Sequence, residues 1–427
     1  MLREEIENKI LDKSNFKYFV SPDYENYSFS RIPGTVESVL GLDPDRELPN
    51  DVFGDIDLKG VENVALVFVD AFGYEQWKSY GEELDFFSRL IEKGRVTPLT
   101  AVFPSETSAA VTSMNTGLTP QEHGVFSWRV FFEDLDVTLR TLPFTTLDNE
   151  DPREIDAELD VSVLFDGETV YERLQRGRVR STAILPEAVH ESDYNSVMME
   201  NAEQEGFSNA FDMALKLRKN LEDSEGLNYF HCYTDQVDSA LHEHGPDSEE
   251  HISQLEAVSQ ALQKQLVEKI SDEDAEKTLL MVIADHGQAD VDPENIVDLL
   301  SFDKVRENLR TYENGEPLLP TGGPRTVFLN LKDGSEEEVK NFLEKNLEAK
   351  ILTRSKAVSR GLFGLGELNH PSRLGDLIII PEEEENMIWY DHEEYSGCED
   401  YEGHHGGMSR AEMLVPFATA KLSDLRD

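Results

Sequence analysis

Two apolar runs that end in aspartate constrain the fold of this chain more than any other feature. ENVALVFVDAFG (62–73) and TLLMVIAD (278–285) are continuous rather than alternating, and carry Asp70 and Asp285 at their ends. Runs of this kind read as strands covered on both faces, the situation of an interior strand in a parallel sheet. STAILP (181–186) and LNYFHCY (227–233) read the same way, and helical stretches at 75–93, 201–222 and 248–272 separate the runs. A further helix is expected to open near Thr107, after RVTPLTAVF (95–103), and RIPGTVESVLG reads as a short helix ended by Gly41. Strands alternating with helices predict an α/β fold: a doubly wound, mostly parallel sheet flanked by helices.

The segment from about 288 to 400 breaks that rhythm. TVFLNL (326–331) leads into a helix at SEEEVKNFLEKNL (335–347), then AKILTRSKAV and a glycine-punctuated loop. GDLIIIP (375–381) resembles one more strand of the main sheet, and EEEEN (382–386) a solvated turn. Residues 292–373 therefore read as a small α+β cap inserted into a core made of 1–291 and 374–427, an organisation that 427 residues accommodate.

Charge narrows the surroundings. The chain carries 39 basic and 87 acidic residues, a net charge of −48, spread along its whole length rather than gathered in a tail. Such a surface repels polyanions, which excludes a face for duplex nucleic acid. It suits a halophilic protein, because at about 1 M salt the screening length falls to roughly 3 Å. The first residues, MLREEIENKILDKSN, lack the apolar centre of a secretory signal, and no apolar run is long enough to span a bilayer. A cytoplasmic protein without a membrane partner is expected. Cys232 and Cys398 make no disulfide framework and read as isolated thiols.

The chemistry is carried by five short segments. Asp70 closes VFVDAFG; Thr107 lies in FPSETSAAVTSMNTGLTPQEHG; Asp238 and His242 lie in YTDQVDSALHEHGP; Asp285 and His286 lie in VIADHGQ; and His404 or His405 lies in HHGGMSRAEMLVPF. In open α/β sheets, ligands bind beyond the carboxyl ends of strands, where these residues fall. The i,i+4 spacing of Asp238 and His242 turns both toward one face of a helix. Aspartate with imidazole suits zinc, or manganese. Two such ions about 4 Å apart would clamp the entering and leaving oxygens of an in-line displacement.

The order Asp, Thr, Asp-x-x-x-His, Asp-His, His resembles the alkaline phosphatase superfamily. It is most similar to the type I phosphodiesterase/nucleotide pyrophosphatase branch, in which Phe-Pro-x-x-Thr is followed by Thr-Gly-Leu-x-Pro-x-x-His-Gly. FPSET and TGLTPQEHG stand here in that register. The resemblance covers about 62–130, 227–290 and 375–417. It implies that Thr107 is a nucleophile that becomes phosphorylated, acting on a small phosphate ester or nucleotide. It further implies two divalent ions, one held by Asp70, Thr107, Asp285 and His286, the other by Asp238, His242 and His405. His405 is preferred to His404 because it directly precedes the glycine that follows the family's histidine.

The chain departs from that pattern at Ala110, where an asparagine is expected three residues after the nucleophile. Asn115 lies about 12 Å along the helix, at ~1.5 Å per residue, and does not replace it. The backbone N–H groups of Ser108 and Ala109, at the helix start, are the expected phosphate donors instead. Ser105 and Ser108 are rival nucleophiles that read otherwise as helix caps. His123 reads as structural; His231, His244, His251, His370 and His392 as core or surface residues; and Arg325 as a surface residue. A phosphomonoesterase, a sulfatase, a phosphomutase and an inactive metal-stabilised binding protein stay open as alternatives, as do substrate identity and oligomeric state.

Overall fold

The computed structural model describes residues 1–14, 19–383, 385–390 and 400–426; Cys398 and His392 lie outside them. The strands of the two larger sheets are, in chain order, β1 (Asn63–Val69), β2 (Arg95–Thr100), β3 (Arg180–Pro186), β4 (Glu203–Phe207), β5 (Asn228–Thr234) and β6 (Thr278–Ile283). They continue as β7 (Thr321–Gly323), β8 (Thr326–Leu329), β9 (Ala349–Thr353), β10 (Leu377–Pro381) and β11 (Leu414–Lys421). The main sheet has seven strands in the order β2-β11-β6-β1-β5-β3-β4. All pairs are parallel except those of β11, which runs against both β2 and β6. The expected α/β sheet flanked by helices is therefore present. Every residue of β1 and β6 is buried, which is why their sequences do not alternate.

Three expectations are corrected. The stretch 201–222 is not one helix: β4 occupies Glu203–Phe207 and a helix follows at Ala210–Glu222. EQEGF carries two glutamates on one face and Gln204 with Gly206 on the other; as an edge strand β4 tolerates them, and so lacks the apolar signal of its neighbours. The stretch 75–93 is two helices, Tyr74–Tyr80 and Asp85–Lys93. The run GDLIIIP is not a strand of the main sheet. As β10 it lies in a second, antiparallel sheet of order β7-β8-β10-β9, flanked by the helix Glu336–Asn346. Ile378 and Ile380 pack into the main core, whereas Leu377 and Ile379 pack into a smaller core with Val327, Leu343 and Ile351. A strand covered on both faces reads alike in either sheet.

Cys232 is buried. No helix among the described residues is long and apolar enough to cross a membrane.

Candidate active site

The strand ends set the site. Val69 of β1 stands opposite Thr234 of β5, and Phe68 opposite Ile283 of β6, so three adjacent strands finish level. Asp70 follows β1 directly and Asp285 comes just after β6. Helix α1 (Thr107–Thr116) opens on Thr107 after β2, and helix α2 (Gln236–His244) carries Asp238 and His242 after β5. A short antiparallel pairing of Ala289 with His404 and Asp290 with Gly403 brings the last segment alongside. All seven residues expected at the site thus meet beyond the carboxyl edge of the sheet.

Their hydrogen bonds leave a consistent remainder. Tyr233 donates its hydroxyl hydrogen to Asp70 Oδ2, and the Ala71 N–H donates to Asp285 Oδ1 at 3.2 Å. Ala71 adopts φ 59°, a left-handed conformation that an alanine holds only at some cost in strain. The other oxygens, Asp70 Oδ1 and Asp285 Oδ2, are buried without a partner, as is Asp238 Oδ1. Burial, then the charges of Asp285 and Asp238, hold the Asp70 carboxyl well above the usual carboxylate range.

The three histidines share one device. His242 Nδ1 meets the Gly403 carbonyl at 2.9 Å, His405 Nδ1 the Ser105 carbonyl at 3.0 Å, and His286 Nδ1 the Gly287 carbonyl at 3.1 Å. A carbonyl only accepts, so Nδ1 carries the hydrogen and a neutral ring presents a lone pair at Nε2. Those Nε2 atoms face the carboxylates. His286 Nε2 lies 3.4 Å from both Asp70 Oδ1 and Asp285 Oδ2. His242 Nε2 is 3.5 Å from Asp238 Oδ2, and His405 Nε2 is 4.0 Å from Asp238 Oδ1. Burial and neighbouring imidazoles hold His405 well below its ordinary value, hence neutral. Acceptors facing acceptors in a buried cluster suit a cation between them. The donor set fits divalent metal.

Two groups of ligand atoms lie within 4.8 Å of one another: Asp70, Asp285 and His286, and Asp238, His286 and His405. His286 belongs to both, its ring stacked on that of His405 with centroids 3.6 Å apart. His242 stands beside Asp238 but outside the second group. His404 instead accepts the His405 N–H at its Nδ1, at 3.0 Å. Thr107 Oγ1 lies 3.1 Å from His286 Nε2, at the point where the groups meet.

Neither rival serine matches its expected role. Ser105 is fully buried, donates to the Gly407 carbonyl at 2.8 Å and accepts the Gly406 N–H at 3.2 Å, so it fastens the loop that carries His405. Ser108 is buried and caps nothing; Glu106 occupies the cap position of α1 without a side-chain bond to the helix. The Ala110 N–H reaches the Glu106 carbonyl at 3.0 Å, while the Ser108 and Ala109 N–H groups fall in the first turn, where a helix supplies no acceptor. Asn115 is buried at the far end of α1, accepting from Tyr171 at 3.1 Å. His123 is structural, linking Val125 N–H and Ser113 Oγ at 3.1 and 3.0 Å.

Arg325 is the largest departure from the sequence reading. It is buried rather than exposed, and its guanidinium forks onto Glu412 at 3.1 and 3.0 Å. Glu412 also accepts the Gly407 N–H at 2.7 Å, and Thr326 Oγ1 donates to the Gly406 carbonyl at 2.7 Å. The second sheet is thereby tied to the loop that holds His405. Replacing Arg325 by methionine strands a buried carboxylate, which costs about 3–5 kcal/mol. Chemical denaturation should show that loss in Arg325→Met, and most of it should return in the double variant with Glu412→Leu.

Two cavities open on Thr107. One, of about 450 Å³, is walled by Val111, Leu142, Leu185, Val189 and Met199. The other, of about 350 Å³, runs past Glu106, His404 and Tyr401 to Gly322, Gly323 and Pro324. Thr107, Trp128 and Asp238 line both. Trp128 and Glu106 were not legible as site residues: Trp128 lies outside the five segments, and Glu106, although in FPSET beside Thr107, has no spacing that marks it.

A model of the type I phosphodiesterase/nucleotide pyrophosphatase family matches residues 64–408. The chain belongs to that family. Membership extends across the ligand segments and the second sheet together, and makes phosphoester hydrolysis its class of chemistry. A search of curated proteins matched nothing. Solved structures share the fold at low identity. Murine ectonucleotide pyrophosphatase/phosphodiesterase 5 is 16% identical with a TM-score of 0.61, covering 85% of this chain and 92% of its own. An inactive variant of that murine protein, in complex with AMP, is likewise 16% identical with a TM-score of 0.61, covering 86% and 93%. Phosphonoacetate hydrolase from Sinorhizobium meliloti, in complex with phosphonoformate, is 15% identical with a TM-score of 0.60, covering 84% and 89%.

Proposed function

We propose that the chain hydrolyses phosphodiesters, with Thr107 as nucleophile and a phosphothreonine intermediate. The observation that carries this reading is the position of Thr107 Oγ1, beside the ligand cluster and on the walls of both cavities. A diester brings two substituents to phosphorus, and each cavity has room for one. In the first step the Thr107 oxygen forms a bond to phosphorus as the bond to one alcohol breaks. Water then attacks phosphorus, and the bond to Thr107 breaks.

Asp70, Asp285 and His286, with Thr107, would hold one divalent ion, and Asp238, His242 and His405 the other. When bound, the ions would lower the pKa of the threonine hydroxyl and neutralise the phosphoryl oxygens. The N–H groups of Ser108 and Ala109 would donate to one of those oxygens at the start of α1. Zinc suits this mixture of carboxylate and imidazole, with manganese as the other candidate. The AMP and phosphonate held by the related structures favour a small substrate with one phosphorus centre at the ions. The cap, as we read it, closes one side of the site through Gly322–Pro324 and Arg325.

The test is a matched pair of aryl phosphates assayed with zinc and with manganese. The diester should exceed the monoester in kcat/KM by about tenfold, some 1.4 kcal/mol of transition-state binding. A monoester carries a further anionic oxygen, and no lysine or arginine lines either cavity among the described residues. A tenfold preference for the monoester would overturn the reading.

We also infer a halophilic, cytoplasmic setting. With 87 carboxylates, the thermal midpoint should climb steeply into molar salt. A response already flat above about 0.15 M, where screening reaches roughly 8 Å, counts against it.

A further inference from the structure

The two cavities that meet at Thr107 differ in chemistry, and Trp128 is a wall of both. The larger has an aliphatic side made of Val111, Leu142, Pro143, Leu185, Val189 and Met199. The smaller holds Asp238, His242 and His405 together, with His404 and Tyr401 beside them, and among the described residues its one aliphatic ring is that of Pro324. Trp128 is anchored through its backbone: its N–H donates to Glu106 Oε2 at 2.9 Å, and its carbonyl accepts the Thr141 N–H at 2.9 Å. Leu142 and Pro143 follow Thr141 directly, and Arg129 pairs with Arg140, so one anchored hairpin supplies both the indole and part of the aliphatic side. The Trp128 side chain is 38% exposed, whereas Trp77 is buried, and neither Trp77 nor Trp389 lines a cavity at Thr107.

An in-line displacement fixes which side loses its substituent. Thr107 Oγ1 stands beside His286 Nε2, which faces Asp70 and Asp285. Bond breaking therefore falls opposite, on the side of Asp238, His242 and His405. Those three line the smaller cavity together, whereas His242 and His405 are not among the walls of the larger one.

We propose that the leaving alcohol occupies the smaller cavity and the substituent retained on phosphorus the larger, with the Trp128 indole as the partition between them. This rests on the phosphodiesterase reading above and deepens it: the substrate class is a mixed diester with one apolar and one polar arm, cut at the polar arm. The Thr107 oxygen bonds to phosphorus as the bond from phosphorus to the polar alcohol's oxygen breaks. That oxygen leaves with the electron pair and takes a proton from water, and a second water releases the apolar monoester. Placed the other way round, the apolar arm would lie among carboxylates and imidazoles, and the polar arm would lose its water against aliphatic carbon. Both exchanges cost free energy.

The test is regiochemical. A mixed diaryl phosphodiester of 4-butylphenol and 4-(hydroxymethyl)phenol pairs two alcohols of similar acidity, so leaving ability does not choose the bond. At low conversion the metal-loaded wild-type protein should yield 4-butylphenyl phosphate over 4-(hydroxymethyl)phenyl phosphate by about tenfold or more, read by phosphorus NMR. Trp128→Ala joins the cavities and should shrink that ratio by roughly threefold or more, while Trp128→Phe, which keeps a ring, should preserve most of it. Val189→Asn makes the aliphatic side polar and should also lower the ratio. Binding supplies a readout apart from turnover. Added 4-butylphenyl phosphate should perturb the tryptophan emission of metal-loaded Thr107→Ala, and a further Trp128→Phe change should remove that signal, because the other two tryptophans line neither cavity. Equal yields of the two monoesters from the wild type, or an excess of 4-(hydroxymethyl)phenyl phosphate, overturn the proposal. So does a ratio unmoved in Trp128→Ala at a wild-type thermal midpoint, or a binding signal that survives Trp128→Phe. Hydrolysis of either aryl monoester but not of the diaryl diester would instead overturn the phosphodiesterase reading itself.

Discussion

Thr107→Ala loses turnover of an aryl phosphodiester by about 10⁴-fold or more, the scale seen when an enzyme nucleophile is removed. The physical reason is that the hydroxyl is chemistry rather than packing. Thr107 is half-buried at the first position of α1, its Oγ1 meets His286 Nε2, and the helix takes no cap from it. The alanine variant should therefore keep its thermal midpoint and most of its bound metal. Thr107→Ser, which restores a hydroxyl at the same place, should recover part of the rate. Acid-quenched wild-type protein should carry label from a phosphorus-labelled diester on Thr107, and the alanine variant none. Normal rates in Thr107→Ala would remove the mechanism outright.

Chelation should be the other large effect, on stability as well as on rate. Stripped of cations, the site holds Asp70, Asp285 and Asp238 with three buried oxygens lacking partners. Metal at a hundredfold excess over its Kd stabilises the folded state by about 2.7 kcal/mol per site. Elemental analysis should find close to two equivalents per chain, and removing them should both abolish hydrolysis and lower the thermal midpoint. Asp285→Ala should lose mainly one equivalent and Asp238→Ala mainly the other. His286→Ala should weaken mainly the ion held with Asp70 and Asp285, because the single Nε2 lone pair faces those two carboxylates. Two full equivalents of metal retained by His286→Ala would remove His286 from the ligand set. A chelated protein that still turns over diesters would exclude metal from the mechanism.

The cluster of candidate ligands was legible because its members sit where strand ends deliver them. A run such as VALVFVD has no freedom about which end of a parallel strand carries its aspartate; that Asp70 and Asp285 become neighbours follows from β1 lying beside β6, which the order of runs along the chain does not fix. The i,i+4 pair on α2 follows from helix geometry alone. Sequence read the runs at 326–331 and 349–358 apart from the main sheet, but assigned β10, which pairs with them in the second sheet, to the main one. An interior strand of a second sheet, apolar on both faces, carries the same pattern as one in the first.

Three things belonged to the tertiary structure. The tautomers of His242, His286 and His405 depend on the carbonyls of Gly403, Gly287 and Ser105, and two of those acceptors lie more than 160 positions away in the chain. Arg325 and Glu412 are 87 residues apart, and each alone reads as a surface charge; only packing shows that burying one requires the other. Glu106 is an ordinary polar residue in FPSET until Gly323 and Gly406 close over Oε1 and leave it without a donor. Sequence by itself determined the fold class and the residue types of the candidate ligands, because periodicity and strand direction are local properties. The hydrogen bonds that aim those side chains, and the two cavities that open on Thr107, came from long-range contacts, because a side chain's partners are set by which distant segments share its surroundings.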